Sequence, residues 1–319
     1  MPAETDTPAD APGRDAAHPK EMPPRAWGQV TRRVWAGITL HHLSLVSAGV
    51  GFFGVIAIFP AIAALIALYG LVADPQQVAQ TLAAVRPLLP GDVFTMLADQ
   101  VDAIVAAPTA KLGVASVVSF ALLLWSARAG VSALMEGLNI VYREIDGRSL
   151  VTQYAISLGL TFALLVAVAV ALLAVVAVPA VLPFTDLGLV GRLLTRWVPL
   201  AILGAVTVFL IGALYRYGPH RALARKRWIT LGAVLATLGW LLVSLALSAY
   251  FAHFPNLNRT YGSLGAIVAL LFWVYASAFV VLIGAELNAA LELQTARDTT
   301  TGPPRPMGER GAFVADHVA

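Results

Sequence analysis

Apolar residues fall in six long runs separated by polar stretches rich in proline and arginine. A helix rises about 1.5 Å per residue, so about twenty such residues cross the hydrocarbon core of a bilayer. The runs predict membrane spans over about 43–71, 112–135, 155–182, 197–215, 229–252 and 263–286. Ahead of the first run, Trp27, Val30, Val34 and Ile38 recur at helical spacing with Arg32 and Arg33 alongside. That pattern predicts either a short helix in the headgroup region or an ordinary basic flank. Residues 73–110 differ: Asp74, Arg86, Asp92, Asp99 and Asp102 are spread through them, and Pro75, Pro87, Pro90 and Pro108 punctuate them. They predict a small external helical cap, with short amphipathic helices over about 76–85 and 93–106.

Two details of the spans bear on function. Pro60 interrupts the first run, and a proline removes a backbone donor and clashes with the preceding turn, so a kink or break is expected over 56–60. The carbonyl it frees either lines a polar cavity or is absorbed in a packed kink. Ser47, Gly49, Gly51 and Gly54 form a small-residue face for close helix approach, and Ser244 and Ser248 form another. The N-terminal residues 1–25, with Pro2, Pro8, Pro12, Pro19, Pro23 and Pro24, read as a disordered tail without a secretory signal, and 295–319 as a second disordered tail. The membrane domain is then 26–294.

Composition agrees with the pattern. The chain is 59% hydrophobic and 12% charged, with mean hydropathy +0.78, which excludes an ordinary soluble domain of this size and implies an all-α, polytopic membrane protein. There is no cysteine, so disulfides, thiolate catalysis and cysteine-ligated metals are excluded. Charge then sets orientation. With six spans, sixteen of the Arg and Lys residues fall on the side of the two tails and five on the other. That asymmetry predicts cytoplasmic termini, an external cap and insertion in a bacterial inner membrane. Arg221, Arg225, Lys226 and Arg227 are part of it, read as a topology determinant meeting anionic lipid headgroups.

Candidate chemistry is sparse. Glu286, followed by Asn288, is the carboxylate of the last span, and an ionisable side chain there is a functional candidate by default. Measured from Ser263 it lies 23 residues on, about 35 Å, which puts it at the inner interface. With Arg128, Asn139, Ser126, Tyr261 and Pro60 it makes the set of candidate substrate-binding or gating residues, with Arg128 a possible ionic partner of Glu286. The histidines, among them the adjacent His41 and His42, do not fall at metal-ligand spacing with carboxylates, and no P-loop or Ser-His-Asp pattern is present. These features predict no enzyme activity, no cofactor, no metal and no nucleic-acid partner. They fit a transporter or lipid translocator of a lipid or small amphipathic substrate in the bilayer. A non-transporting envelope scaffold working through the cap is the alternative, and a membrane-bound ribonuclease is disfavoured. Oligomeric state is not legible.

Several segments together resemble the YihY/BrkB family of bacterial inner-membrane proteins over nearly all of 27–293. They are Phe59-Pro60 with LYGL at 68–71, Leu89-Pro90, LLLWSARAG at 122–130, LNIVY at 138–142, LYRYGPH at 214–220, GAVLATLGW at 232–240, YGSLGAIVALLFWVY at 261–275 and GAELNAAL at 284–291. The chain departs from the family at His41-His42, where an acidic residue is expected in many relatives. The resemblance implies a six-span helical protein, and it implies no defined activity, the family carrying names tied to virulence and an old ribonuclease label.

Overall fold

The computed structural model describes residues 12–72, 109–181, 188–253 and 264–318. Its long helices are α1 (Pro24–Leu40), α2 (Leu43–Val72), α3 (Thr109–Tyr142), α4 (Leu150–Val181), α5 (Gly188–Tyr217), α6 (Lys226–His253) and α7 (Leu264–Glu292), followed by the single turn α8 (Phe313–Asp316). Among the described residues there is no strand, only an isolated antiparallel bridge between Ala224 and Thr300. Among the described residues four helices carry stretches long and apolar enough to cross a membrane: Leu150–Ala167, Trp197–Tyr217, Lys226–Tyr250 and Ile267–Glu292. The pair α1–α2, bent by 60°, counts as a fifth if it is one broken span. The predicted helical cap, with both of its short helices, lies outside the described residues up to 108, and its last two positions already belong to α3.

Local sequence explains several element boundaries. Ser149 caps α4, accepting from the Thr152 amide at 3.3 Å, so the helix starts before the apolar run and not at residue 155. The helix α5 begins at Gly188, well ahead of 197, and carries Pro199 inside it. The helix α2 continues through Pro60, and a bend of 60° lies ahead of it, at His41-His42. His42 has φ +50°, a left-handed conformation that L-residues adopt at a cost, and its carbonyl accepts the first amides of α2. A similar device ends α3: Arg143 has φ +56°, while the Arg143 and Glu144 amides donate to the carbonyls of Ile140 and Asn139. That is a Schellman ending built without glycine.

Contacts divide the chain into two units, Met1–Ser47 with Val131–Val243 and Ala276–Ala319, and Ala48–Gly130 with Ser244–Tyr275. In the second, Gly54 and Gly51 of α2 abut Val274 and Leu271 of α7, realising half of the small-residue face, since nothing lies over Gly49. Ser244 accepts a hydrogen bond from Trp273 Nε1 at 3.0 Å. In the first unit, Met135, Leu138 and Val141 of α3 pack with Ile211 and Leu214 of α5, Ala233 and Ala236 of α6, and Leu282, Ala285 and Ala289 of α7. Large apolar side chains also point outward, Phe162, Phe209 and Leu242 being 61%, 78% and 67% exposed. Outward apolar faces on this scale suit lipid rather than water.

Of the tails expected to be disordered, 1–25 and 295–319, residues 1–11 and 319 lie outside the described residues. Residues 12–25 and 295–318 hold defined partners: Thr295 Oγ1 donates to the Arg14 and Ala16 carbonyls, and Arg310, 6% exposed, donates to the Ala296, Ala315 and Arg305 carbonyls. Val314 is buried in the core of the first unit. Low hydrophobicity argues for disorder when a segment must fold by itself, but these segments are satisfied by polar groups the helix ends already offer.

Candidate functional site

The polar residues of the first unit gather where α1, α3, α6 and α7 end or begin. Glu286, on the apolar helix α7, is 5% exposed, and its Oε2 lies 2.8 Å from His41 Nδ1. The two residues stand 245 positions apart in sequence. Gly37, one turn before His41, lies against the Glu286 carboxyl so closely that a methyl group there would overlap it. Two residues on, Asn288 is fully buried and bridges to α6, its Oδ1 accepting from the Gly232 amide at 2.9 Å and its Nδ2 donating to the Ile229 carbonyl at 3.3 Å. The bridge exists because α6 and α7 touch backbone to backbone: a Cβ on Gly232 would strike the Gly284 carbonyl, and one on Gly284 the Gly232 carbonyl.

A second charged pair closes the end of α7. Arg221, in the α5–α6 connection, forks onto Glu292 with distances of 3.0 and 2.6 Å, and the side chains are 2% and 0% exposed. Thr299 donates to the same carboxylate at 2.7 Å, and the Arg221 guanidinium lies 4.8 Å from the Tyr142 ring centre. Burial opposes the charge on Arg221, but Glu292 outweighs it and holds the guanidinium above its ordinary range. Burial pushes the Tyr142 phenol up, with Glu292 adding to the effect. On the other flank of α3, Asn139 accepts from the His220 amide at 2.8 Å and donates to Asp146 at 3.2 Å. The hydrogen bond from Arg148 holds Asp146 well below the usual carboxylate range.

The seven sequence candidates fall in different parts of the chain. Glu286, Asn288 and Asn139 lie in the first unit, each with its own partners. Arg128 and Ser126 belong to the second, where the Arg128 guanidinium lies 5.4 Å from the Trp125 ring centre. The observed ionic partner of Glu286 is His41. Pro60 is within α2, and Tyr261 lies outside the described residues.

Sequence reasoning missed His41, Arg221, Glu292 and Gly37. One signal was available for His41: the charge count puts the start of the first span and the end of the last on the same membrane side, so a carboxylate at the latter has a natural partner at the former. The basic cluster also changes meaning. Arg221 faces Glu292, Arg225 Nε donates to the Thr300 carbonyl at 2.7 Å, and Arg227 lies 3.2 Å from His18 Nε2. Arg225 and Arg227 thus bond to segments near the two ends of the chain, and Arg221 to the end of α7. Among the described residues no group of three or more His, Asp or Glu stands together at metal-binding geometry.

The family described as virulence factor BrkB matches residues 34–308. A ribonuclease-like protein of Bacillus subtilis, YfkH, is 28% identical over 266 residues, covering 82% of this chain and 94% of that protein. A UPF0761 membrane protein of Aeromonas salmonicida is 30% identical over 203 residues, 61% of this chain and 65% of its own length. The UPF0761 membrane protein VP0125 of Vibrio parahaemolyticus is 31% identical over 187 residues, 57% of each chain. The chain thus spans less than two thirds of the latter two relatives. No solved structure matches it.

Proposed function

Since the chain belongs to the virulence factor BrkB family and is an integral membrane protein, we propose that it is a transporter or translocator of a lipid or small amphipathic molecule, closed at its cytoplasmic end by the polar cluster around Glu286. The protein sits in the bacterial inner membrane with six spans, an external cap over 73–110 and both termini cytoplasmic. The orientation rests on the sixteen-to-five distribution of basic residues.

One observation carries the reading: an ionisable carboxylate on a membrane-spanning helix, 5% exposed, is matched to a histidine at the break between two helices. Such a group is expensive in apolar surroundings and is found where a path for substrate or ions needs it. The remaining polar side chains of that end tie helix ends together and leave Glu286 as the titratable group at the bend. The printed name of the Bacillus relative is the support for a ribonuclease. Against it stands the inward-facing use of Arg221, Arg225 and Arg227, which removes the basic surface an RNA would need.

The test is reconstitution in sealed vesicles, following a fluorescent phospholipid from one leaflet to the other. Wild type is expected to move it, and Glu286→Gln to insert and accumulate but not to move it. Normal movement by that variant removes the carboxylate from the mechanism, and no movement of lipid or amphipathic solute by wild type overturns the reading.

A further inference from the structure

The helix α1 is fastened to α7 in two different ways. Its first half is held by apolar contacts, Ala26 and Val30 clustering with Trp228, Ala290 and Leu291. Its end is held by the acid–base contact of His41 with Glu286, both side chains less than a tenth exposed. Gly37 adds no side chain between the helices, so the carboxyl fills the space against α1. The chain breaks directly after the pair: His42 adopts φ +50° and α2 sets off at 60° to α1.

A buried imidazole and carboxyl that share one proton form a matched ion pair or two neutral groups. A second proton leaves an imidazolium against a neutral acid, a buried cation with its counter-charge removed. The surrounding charges do not supply a substitute. Arg221 and Glu292 neutralise one another, and Tyr142 on α3 is kept neutral by burial. Arg33 on α1, which donates to Gln294, and Arg143 after α3 add positive charge only. The remaining way to relieve the doubly protonated pair is to hydrate it, and the weakest fastening available for that is the last turn of α1, beside the break.

We propose that His41 and Glu286 are a proton-binding site: uptake of a second proton from the adjoining aqueous side parts the end of α1 from α7, with His41-His42 as the hinge. The inference rests on the transport reading for its purpose and names the coupling ion.

The chain has no native cysteine, so a Thr39→Cys, Thr230→Cys pair at two exposed positions of α1 and α6 takes spin labels cleanly. In the full chain in lipid nanodiscs, a second and longer label distance should grow as pH falls below about 6, where a histidine already carries its proton and a carboxyl takes up the next. His41→Gln should hold a single distance across that range, because without the imidazole the added proton leaves no buried cation. An unchanged distance in the labelled protein, or the same shift in His41→Gln, overturns the proposal. If that variant does not accumulate, the carboxyl 13C resonance of Glu286 in the labelled protein decides: it must move to the protonated position over the interval in which the distance changes, and a carboxylate that stays ionised there overturns the proposal. No substrate enters this readout. A missing distance shift therefore removes the proton site alone, whereas vesicles without flux remove the transport reading.

Discussion

Arg221 and Glu292 illustrate how charge is tolerated inside this protein. Each is nearly inaccessible, and each satisfies the other with Thr299 completing the carboxylate. Removing one member strands the other, at a cost of about 3–5 kcal/mol, whereas replacing both by apolar groups of similar volume is close to neutral or favourable. We expect Arg221→Met and Glu292→Leu each to lower the thermal midpoint in detergent markedly, and the double variant to recover most of the loss. Simple addition of the two losses would contradict the pairing. Asp316 gives the pH counterpart. Burial opposes its charge, but the amides of Arg310, Gly308, Ala312 and Gly311 hold its pKa below the ordinary value. A carboxyl depressed in this way contributes stability that is complete above its unfolded pKa and lost as pH falls through the folded one. The turn at 308–316 should therefore keep its amide-exchange protection at neutral pH and lose it below about pH 4. Protection that persists unchanged in acid would show that the amide contacts do not depend on the charge.

At the level of elements, glycine position matters more than glycine content. Gly232 and Gly284 allow α6 and α7 to meet at their backbones, whereas nothing lies within 4 Å of a Cβ built on Gly204 of α5. Gly232→Ala should cost about 1–3 kcal/mol by overpacking and loosen the Asn288 bridge, while Gly204→Ala should not destabilise. Thermal melts of the two variants side by side check this, and equal midpoints would mean that α6 and α7 are not in backbone contact. The segments GAVLATLGW and GAELNAAL were legible as a family resemblance, but which glycine faced which helix was not. A helix surface offers several faces, and periodicity in an all-apolar span does not choose among them. The bend ahead of α2 was not legible for a related reason: the break at His41-His42 uses a left-handed histidine that no composition rule marks.

For the whole molecule, the proposed orientation leads to a labelling result. The loop 301–309 is exposed throughout, so Thr301→Cys should react with a membrane-impermeant maleimide only after inner-membrane vesicles are inverted or cells are lysed. Reaction in intact spheroplasts would reverse the orientation. Sequence alone determined the class of the protein: helices long and apolar enough for a bilayer, because in hydrocarbon every backbone polar group must be satisfied within its own segment, and the length and hydropathy of each run record that demand. It also pointed to Glu286, because a carboxylate in an apolar run is conspicuous. Tertiary structure alone decided what the charges do. His41 meets Glu286 across 245 residues and Arg221 meets Glu292 across 71, and the same fold brings Thr299 onto Glu292. Pairing of buried charges is a short-range interaction between distant positions, set by how helices pack, and a one-dimensional pattern of apolar residues carries no record of it.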